Sequence, residues 1–232
     1  MPHLKRLLAP PFWKVSRKES KWVVAPRAGP HPKRQSIPLS IMLTSILKAV
    51  DTTTEAKKVV RRGDVLVDDK RRKDYGYPVG LFDVVTIPKM KKSYRLIPSK
   101  KGLNVVEISE NEAKTKLCKI RGKTAVKGGK VQLNLHDGKN ILVQDVNYNT
   151  GDSLLVELPK LKIVEHIPLQ AGNTGIVLKG TTAGKLAKVK QLLKGGMREQ
   201  PKIVCDIGNE DKTVTKENLF IVGKDKPLIT VG

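Results

Sequence analysis

The sequence predicts an α+β protein built from several small modules, in which a helix–helix–hairpin segment precedes two β-rich segments. Three observations support this prediction: apolar residues at helical spacing after residue 38, a capping box at Thr52, and alternating apolar residues with glycine-rich turns beyond residue 99. Hydrophobic residues make up 39% of the 232 and aromatic residues only 4%, which is little for one large core. We therefore divide the chain into segments 1–36, 37–98, 99–165 and 166–232.

Residues 1–36 are predicted to form a basic, proline-rich extension. Nine Lys or Arg face a single acid, Glu19, and prolines interrupt any regular element. Trp13 and Trp22 are the two tryptophans of the chain. Their indoles either stack on the bases or sugars of bound RNA, or anchor the extension on the body of the protein. The candidate RNA contacts here are His3, Lys5, Arg6, Trp13, Arg27, His31, Lys33 and Arg34.

Residues 37–98 contain the clearest helical signals. Pro38 stands at the start of a first predicted helix, where proline is tolerated, and apolar residues then recur at i, i+3, i+4 and i+7. A capping box of Thr52 and Glu55 opens a second predicted helix, which ends at Gly63. The apolar positions of the first helix are Leu39, Met42, Leu43, Ile46, Leu47 and Val50.

The second helix has a cationic side. Ala56, Val59 and Val60 share one side at about 100° per residue, and four basic residues occupy the other. The helix dipole accounts for basic residues in the last turn but not for those a turn earlier. We therefore favour a helix that faces RNA. The candidate contacts are Lys57, Lys58, Arg61 and Arg62.

A hairpin is predicted directly after this helix. Val65-Leu66-Val67 is typical of a short strand, Asp68-Asp69 of a turn, and residues 83–87 of a second strand. A basic run follows the turn, so helix and hairpin are expected to place their cations on one surface. This run adds Lys70, Arg71, Arg72 and Lys73 to the candidate RNA contacts.

Residues 99–232 are predicted to be β-rich. Asp137-Gly138 is a strong hairpin turn between apolar residues that alternate before it and a strand that returns after it. Cys118 and Cys205 lie in apolar stretches and are interpreted as core residues. The predicted strands include residues 131–135, 141–143, 154–156, 163–164, 176–178 and 219–222.

The net charge indicates a polyanionic partner. The chain has 45 Lys or Arg and 22 Asp or Glu, a formal charge of +23, and contact with RNA phosphates would release condensed counterions. Because no run of about 18 apolar residues and no lipidation motif occurs, we expect no membrane partner. Because no P-loop, zinc-ligand spacing or catalytic motif occurs, we expect no enzyme activity, cofactor, metal or small-molecule substrate.

Several motifs resemble a known family. In the first segment they are His3-Leu4-Lys5-Arg6, Ala9-Pro10 with Trp13, and Gly29-Pro30-His31. In the second they are Ile37-Pro38-Leu39, Glu55-Ala56-Lys57-Lys58, Val65-Leu66-Val67-Asp68, and Tyr77-Pro78-Val79-Gly80 with Asp83-Val84. This series resembles the archaeal and eukaryotic small-subunit ribosomal protein family S4e over nearly the whole chain.

The resemblance implies an alpha-L RNA-binding module at 37–98, a β-rich central domain, and a KOW-type SH3-like barrel around residues 168–195. It also implies a ribosomal protein of cytoplasmic ribosomes, whose partners are small-subunit ribosomal RNA and neighbouring small-subunit proteins. In the KOW stretch the candidate RNA contacts are Lys179, Lys185 and Lys188. Two alternatives remain open: an RNA-modifying enzyme, such as a pseudouridine synthase, that borrows an alpha-L module, and a KOW-containing transcription factor.

Overall fold

The chain folds into two compact units in the computed structural model, which describes residues 3–144, 147–196, 199–208 and 210–231. The first unit contains the residues up to Ile97 together with Lys101–Lys114. The second contains Pro98–Lys100 together with the residues from Thr115 onward. Each unit has its own buried apolar residues, as expected for a chain whose composition is too polar for one large core.

The N-terminal residues pack onto the first unit. Strands β1 (Leu4–Lys5) and β2 (Trp22–Val23) pair antiparallel, and short 3₁₀ turns lie at Arg6–Leu8, Pro11–Trp13 and Lys33–Gln35. The Trp13 side chain is fully buried, and its indole N–H donates to the Ser36 carbonyl at 2.9 Å. Trp13 therefore anchors this segment in the core. The expectation that the Trp13 indole stacks on RNA is wrong, because the ring has no exposed face.

The first helix is shorter than its apolar pattern predicts. After β3 (Ile37–Pro38), α1 (Leu39–Ile41) continues as a π-helical turn over Met42–Ile46, where the Leu47 N–H donates to the Met42 carbonyl. Lys48 then adopts a left-handed conformation with φ 51°, which ends the helix. The predicted extension of the helix to Val50 is therefore wrong.

The second helix matches its prediction. Helix α2 (Thr53–Arg62) opens with the capping box, in which the Glu55 N–H donates to Thr52 Oγ1 at 3.2 Å and the Thr52 N–H donates to Glu55 Oε2 at 3.3 Å. Gly63 ends the helix at φ 82°, a left-handed conformation that glycine adopts without steric cost.

A five-stranded sheet completes the first unit, with the order β5-β4-β7-β8-β9. The short strand β6 pairs instead with β3. The predicted strands at 65–67 and 83–87 are confirmed, each beginning one residue later than expected. The bounds are β4 (Leu66–Val67), β5 (Lys70–Arg71), β6 (Pro78–Val79), β7 (Val84–Ile87), β8 (Lys92–Ser99) and β9 (Gly102–Ile108), followed by the short helix α3 (Glu110–Ala113).

The second unit consists of two antiparallel five-stranded sheets, with the orders β12-β11-β10-β13-β14 and β18-β17-β16-β15-β19. The first contains β10 (Thr115–Val126), β11 (Lys130–Leu135), β12 (Asn140–Val143), β13 (Ser153–Glu157) and β14 (Lys162–Ile167). The second contains β15 (Thr174–Val177), β16 (Leu186–Leu193), β17 (Lys202–Asp206), β18 (Asp211–Thr215) and β19 (Leu219–Gly223). These strands confirm the β-rich prediction.

Buried lysines hold the second unit together. The side chains of Lys116 and Asp137 have no exposed surface, and Lys116 Nζ lies 3.1 Å from Asp137 Oδ2. The Lys119 ammonium donates to three backbone carbonyls, those of Lys216 (2.8 Å), Glu217 (3.1 Å) and Leu219 (2.6 Å). Lys119 thereby ties β10 to the residues around the start of β19.

Both cysteines are fully buried, as predicted for core residues. Cys118 lies in β10 and Cys205 in β17. Burial raises the pKa of the Cys205 thiol to about 11, so this side chain stays protonated and behaves as a small apolar group.

Candidate RNA-binding surface

Helix α2 separates its apolar and cationic sides as its sequence predicts. Ala56 and Val60 are buried, whereas Lys58, Arg61 and Arg62 are exposed and Lys57 is half-buried. Among the described residues, none of these four cations makes an ion pair with an acid. The helix therefore presents uncompensated positive charge on its outer side, where phosphate groups could bind.

The hairpin after α2 extends this charge. Val67 pairs with Lys70, and the two residues between them, Asp68 and Asp69, both lie in the left-handed region with φ 51° and 59°. Two left-handed residues in a two-residue loop match the twist of the flanking strands. The Asp68 carboxylate fixes the turn by accepting the Val84 N–H at 3.2 Å.

The hairpin and the end of α2 lie side by side. Arg71 Cδ is 3.7 Å from the position that a Cβ on Gly63 would occupy, so the second hairpin strand runs beside the helix end. The geometry brings together six exposed cations, which we call the helix–hairpin surface: Lys58, Arg61, Arg62, Lys70, Arg71 and Lys73.

Arg72 differs from its neighbours in the same basic run. Its guanidinium carbon lies 4.5 Å from the centre of the Tyr77 ring, and its Nε atom is buried. A cation stacked on an aromatic face contributes to packing as well as to charge. Arg72 therefore packs the hairpin against Tyr77 and is half-buried, while Arg71 and Lys73 on either side of it are exposed.

The N-terminal candidates are divided between surface and core. Arg6 is half-buried and lies 2.6 Å from Glu19 Oε2, while Arg27 is exposed and lies 3.3 Å from Asp74 Oδ1. His31 is buried, with its Nε2 atom 3.0 Å from Asp83 Oδ2, so the expectation that it contacts RNA is wrong. The remaining candidates of this segment, His3, Lys5, Lys33 and Arg34, are exposed.

Cations of the second unit occupy two hairpins. Lys179 and Lys185 are exposed in the connection between β15 and β16, and Lys188 follows on β16, 3.9 Å from Asp225 Oδ1. Sequence reasoning did not include among the RNA contacts the cations of the other hairpin, formed by the end of β10 and the start of β11. No acid occurs between residues 121 and 136, and that absence was the available signal. Its exposed cations are Arg121, Lys123, Lys127 and Lys130.

One group of side chains in the described part of the chain could approach a metal ion. Atoms of Cys118, His136 and Asp137 lie within 4.8 Å of one another. The Asp137 carboxylate already lies 3.1 Å from the Lys116 ammonium and 3.2 Å from that of Lys139. A cation there would have to displace two ammonium groups, so the cluster does not fit a metal.

Within the described ranges, no helix is both long enough and apolar enough to cross a bilayer.

Comparisons with known proteins place the chain in a family. Family models described as "RS4NT (NUC023) domain", "S4 domain" and "Ribosomal family S4e" match residues 2–34, 39–85 and 90–163. A protein of Archaeoglobus fulgidus named small ribosomal subunit protein eS4 is 45% identical, over 99% of this chain and 98% of its own length. The chain belongs to the ribosomal S4e family.

Other S4e proteins agree with this assignment. The protein of the same name from Methanothermobacter thermautotrophicus is 40% identical over 99% of this chain and 95% of its own length. The crystal structure of the 30S ribosomal protein S4e from Thermoplasma acidophilum covers 82% of this chain and 96% of its own, with a TM-score of 0.71 and 27% identity. The family expected from the N-terminal motifs is thus confirmed, and the S4 domain coincides with α1, α2 and the hairpin.

Proposed function

We propose that this S4e protein is a structural constituent of the small ribosomal subunit that binds ribosomal RNA and supports its folding and translation. The observation that carries the proposal is the helix–hairpin surface, where exposed cations lie together and pair with none of the acids that the structure describes. Folded RNA is recognised largely through its shape and its phosphates, so an exposed cationic surface suits it. The small-subunit names of its full-length relatives support the same role.

The RNA contacts extend beyond that surface in our proposal. The exposed N-terminal cations and Lys57 supply a second group on the first unit. On the second unit we assign contacts to Lys179, Lys185 and Lys188 and add the β10–β11 hairpin. Neighbouring small-subunit proteins are the other partners, and cytoplasmic ribosomes are the location. The protein is not an enzyme in this proposal.

The domain division is proposed on the same footing. Residues 37–98 would form the alpha-L module, residues 99–165 the central β-rich domain, and residues 166–232 a KOW-type SH3-like barrel followed by the tail, with residues 1–36 as the extension. The five antiparallel strands from β15 to β19 support a small barrel, because five strands suffice to enclose a compact core.

Binding of purified protein to purified small-subunit ribosomal RNA tests the function. We expect the logarithm of the affinity to fall linearly with the logarithm of salt concentration, with a slope of several units for several released counterions. An affinity that does not change with salt would contradict phosphate-directed binding. Detection of a modified base in the RNA after incubation would favour the enzyme alternative instead.

A further inference from the structure

The first unit contains a cleft whose lining has the chemistry of a nucleotide site. Its volume is about 620 Å³, within the range of about 300–1,000 Å³ that is usual for small-molecule sites. It lies between the N-terminal segment and the two helices. Among the described residues that line it are His3, Arg6, Arg27 and Lys57, and no Asp or Glu is among them.

Two of the basic side chains, Arg27 and Lys57, lie beside the ring of Tyr75. The Arg27 guanidinium carbon lies 4.8 Å and Lys57 Nζ 4.9 Å from the centre of the Tyr75 ring. Arg27 also donates to the Tyr75 hydroxyl at 3.1 Å and shares its charge with Asp74. Among the described residues Lys57 has no acid partner. Two cations held beside one ring, with a single carboxylate near them, make a site for an anion.

A second aromatic ring in the cleft is open to a ligand. Trp22 is 49% exposed, although its indole is the kind of surface that a protein usually covers. The His3 ring lies 5.5 Å and Lys21 Nζ 5.4 Å from the Trp22 ring. An exposed indole flanked by a histidine ring and an ammonium group suits the π-face of a base.

A buried hydroxyl supplies an independent indication of a ligand. Ser40 lines the cleft and is only 1% exposed, and its Oγ atom has no hydrogen-bond partner within the part of the chain that the structure describes. A buried polar group without a partner costs free energy, which a hydrogen bond to a ligand recovers.

We propose that this cleft binds one unpaired nucleotide of the RNA, with its phosphate between Arg27 and Lys57, its base on Trp22, and its ribose or base edge within reach of Ser40. A base within a duplex has both faces covered by its neighbours, so only an unstacked nucleotide can enter. This inference rests on the proposed RNA-binding function and adds to it a specific site for single-stranded RNA.

Trp22 also provides the signal for a test. Trp13 is fully buried, so quenching of tryptophan emission by 5′-phosphorylated octauridylate reports on Trp22. We expect saturable quenching by octauridylate, and much weaker binding of free uridine monophosphate and of a blunt RNA duplex to the same site. Equal affinity for the free nucleotide would overturn the assignment to RNA, and equal quenching by the duplex would overturn the assignment to an unpaired base.

Matched variants localise the binding. Labelled octauridylate, followed by fluorescence anisotropy, should bind Trp22→Leu at least about fivefold more weakly, whereas Trp22→Phe keeps most of the affinity because it keeps a stacking ring. Lys57→Met should weaken binding more than Lys58→Met, which removes the same charge from the same helix outside the cleft. Equal losses from the two lysine variants, or an unchanged affinity of Trp22→Leu, would overturn the proposal.

Binding of small-subunit ribosomal RNA by the same preparations separates this site from the general function. If that RNA binds tightly while octauridylate gives no quenching, the cleft assignment fails and the proposed function stands. If that RNA itself does not bind, the proposed function fails. Thermal melting of each variant verifies that a weakened variant is still folded.

Discussion

Two regions of this molecule differ in how far their basic residues are paired with acids. Between residues 56 and 73 the chain has eight Lys or Arg and three Asp, whereas between residues 202 and 226 it has five of each sign. In the first region Asp64 pairs with Lys89 and Asp68 holds the hairpin turn, so neither neutralises the helix–hairpin surface. In the second region Lys202 and Lys212 lie within 3.1 Å of Glu199 and Glu210.

The buried lysines of the second unit extend this contrast. The ammonium groups of Lys116 and Lys119 are buried and bind fixed partners in place of water. Lys116 pairs with a carboxylate, and Lys119 donates to three backbone carbonyls. A charge that is paired inside the fold contributes to the fold, and a charge left unpaired outside is available to a polyanion. Total net charge therefore indicates the class of partner but not which residues contact it.

Removing a buried partner should have the largest effect. Lys116→Met leaves the Asp137 carboxylate buried without its closest cation, and breaking such a pair costs about 3–5 kcal/mol. Lys58→Met, on the exposed side of α2, should change the free energy of unfolding by no more than about 0.5 kcal/mol. Urea denaturation of both variants measures the difference. A small effect of Lys116→Met would mean that the paired lysines are not structural.

The same pair predicts a dependence of stability on pH. Burial alone would raise the pKa of Asp137, but Lys116, His136 and Lys139 outweigh it and hold that pKa below its usual range. Asp137 therefore stabilises the folded state above the unfolded pKa of about 3.9, and this contribution is lost as pH falls towards the folded value. The gap in stability between wild type and Asp137→Asn should thus shrink below about pH 4. A gap that stays constant down to pH 2 would contradict this account.

Charge reversal on the helix–hairpin surface tests whether its unpaired cations bind RNA. Arg61→Glu with Lys70→Glu should lower affinity for small-subunit ribosomal RNA by about tenfold or more at fixed salt, and reduce the salt slope by about two. Lys202→Glu with Lys212→Glu reverses two paired charges and is the matched control. If both double variants weaken binding equally, RNA affinity depends on the total positive charge, and the helix–hairpin surface is not a localised binding site.

The smallest expected effect separates two adjacent arginines. Arg72→Ala removes the stack on Tyr77 and should lower the free energy of unfolding by about 1–2 kcal/mol, whereas Arg71→Ala should lower RNA affinity with little change in stability. Thermal melting and RNA titration of both variants measure the two effects. The opposite assignment of effects would make Arg72 the RNA contact and Arg71 the packing residue.

Local signals in the sequence predicted local structure well. The capping box of Thr52 and Glu55 fixed the start of α2, and Gly63 its end, because each acts through neighbours in the chain. The end of the first helix was missed, since lysine as a residue type does not indicate the left-handed conformation that Lys48 adopts.

Burial of polar groups was the main source of error. Trp13 and His31 were assigned to RNA because their partners, Ser36 and Asp83, are distant in the sequence and become neighbours only in the fold. Strand β8 was missed for a related reason. Arg95 is fully buried there beside Glu112, and a charged residue at an inward position hides the alternation that a strand usually shows.

The bonds of Lys119 have a consequence for the order in which the protein matures during synthesis. Its carbonyl acceptors lie 97 to 100 residues further along the chain, so this ammonium remains without them until residue 219 has been made. One edge of strand β15 also lacks its partner until then, because that partner, β19, is the last of the described strands to leave the ribosome. An unpaired strand edge can associate with another nascent chain. Until β19 has been made, this edge of β15 therefore lacks its native partner and is open to another chain.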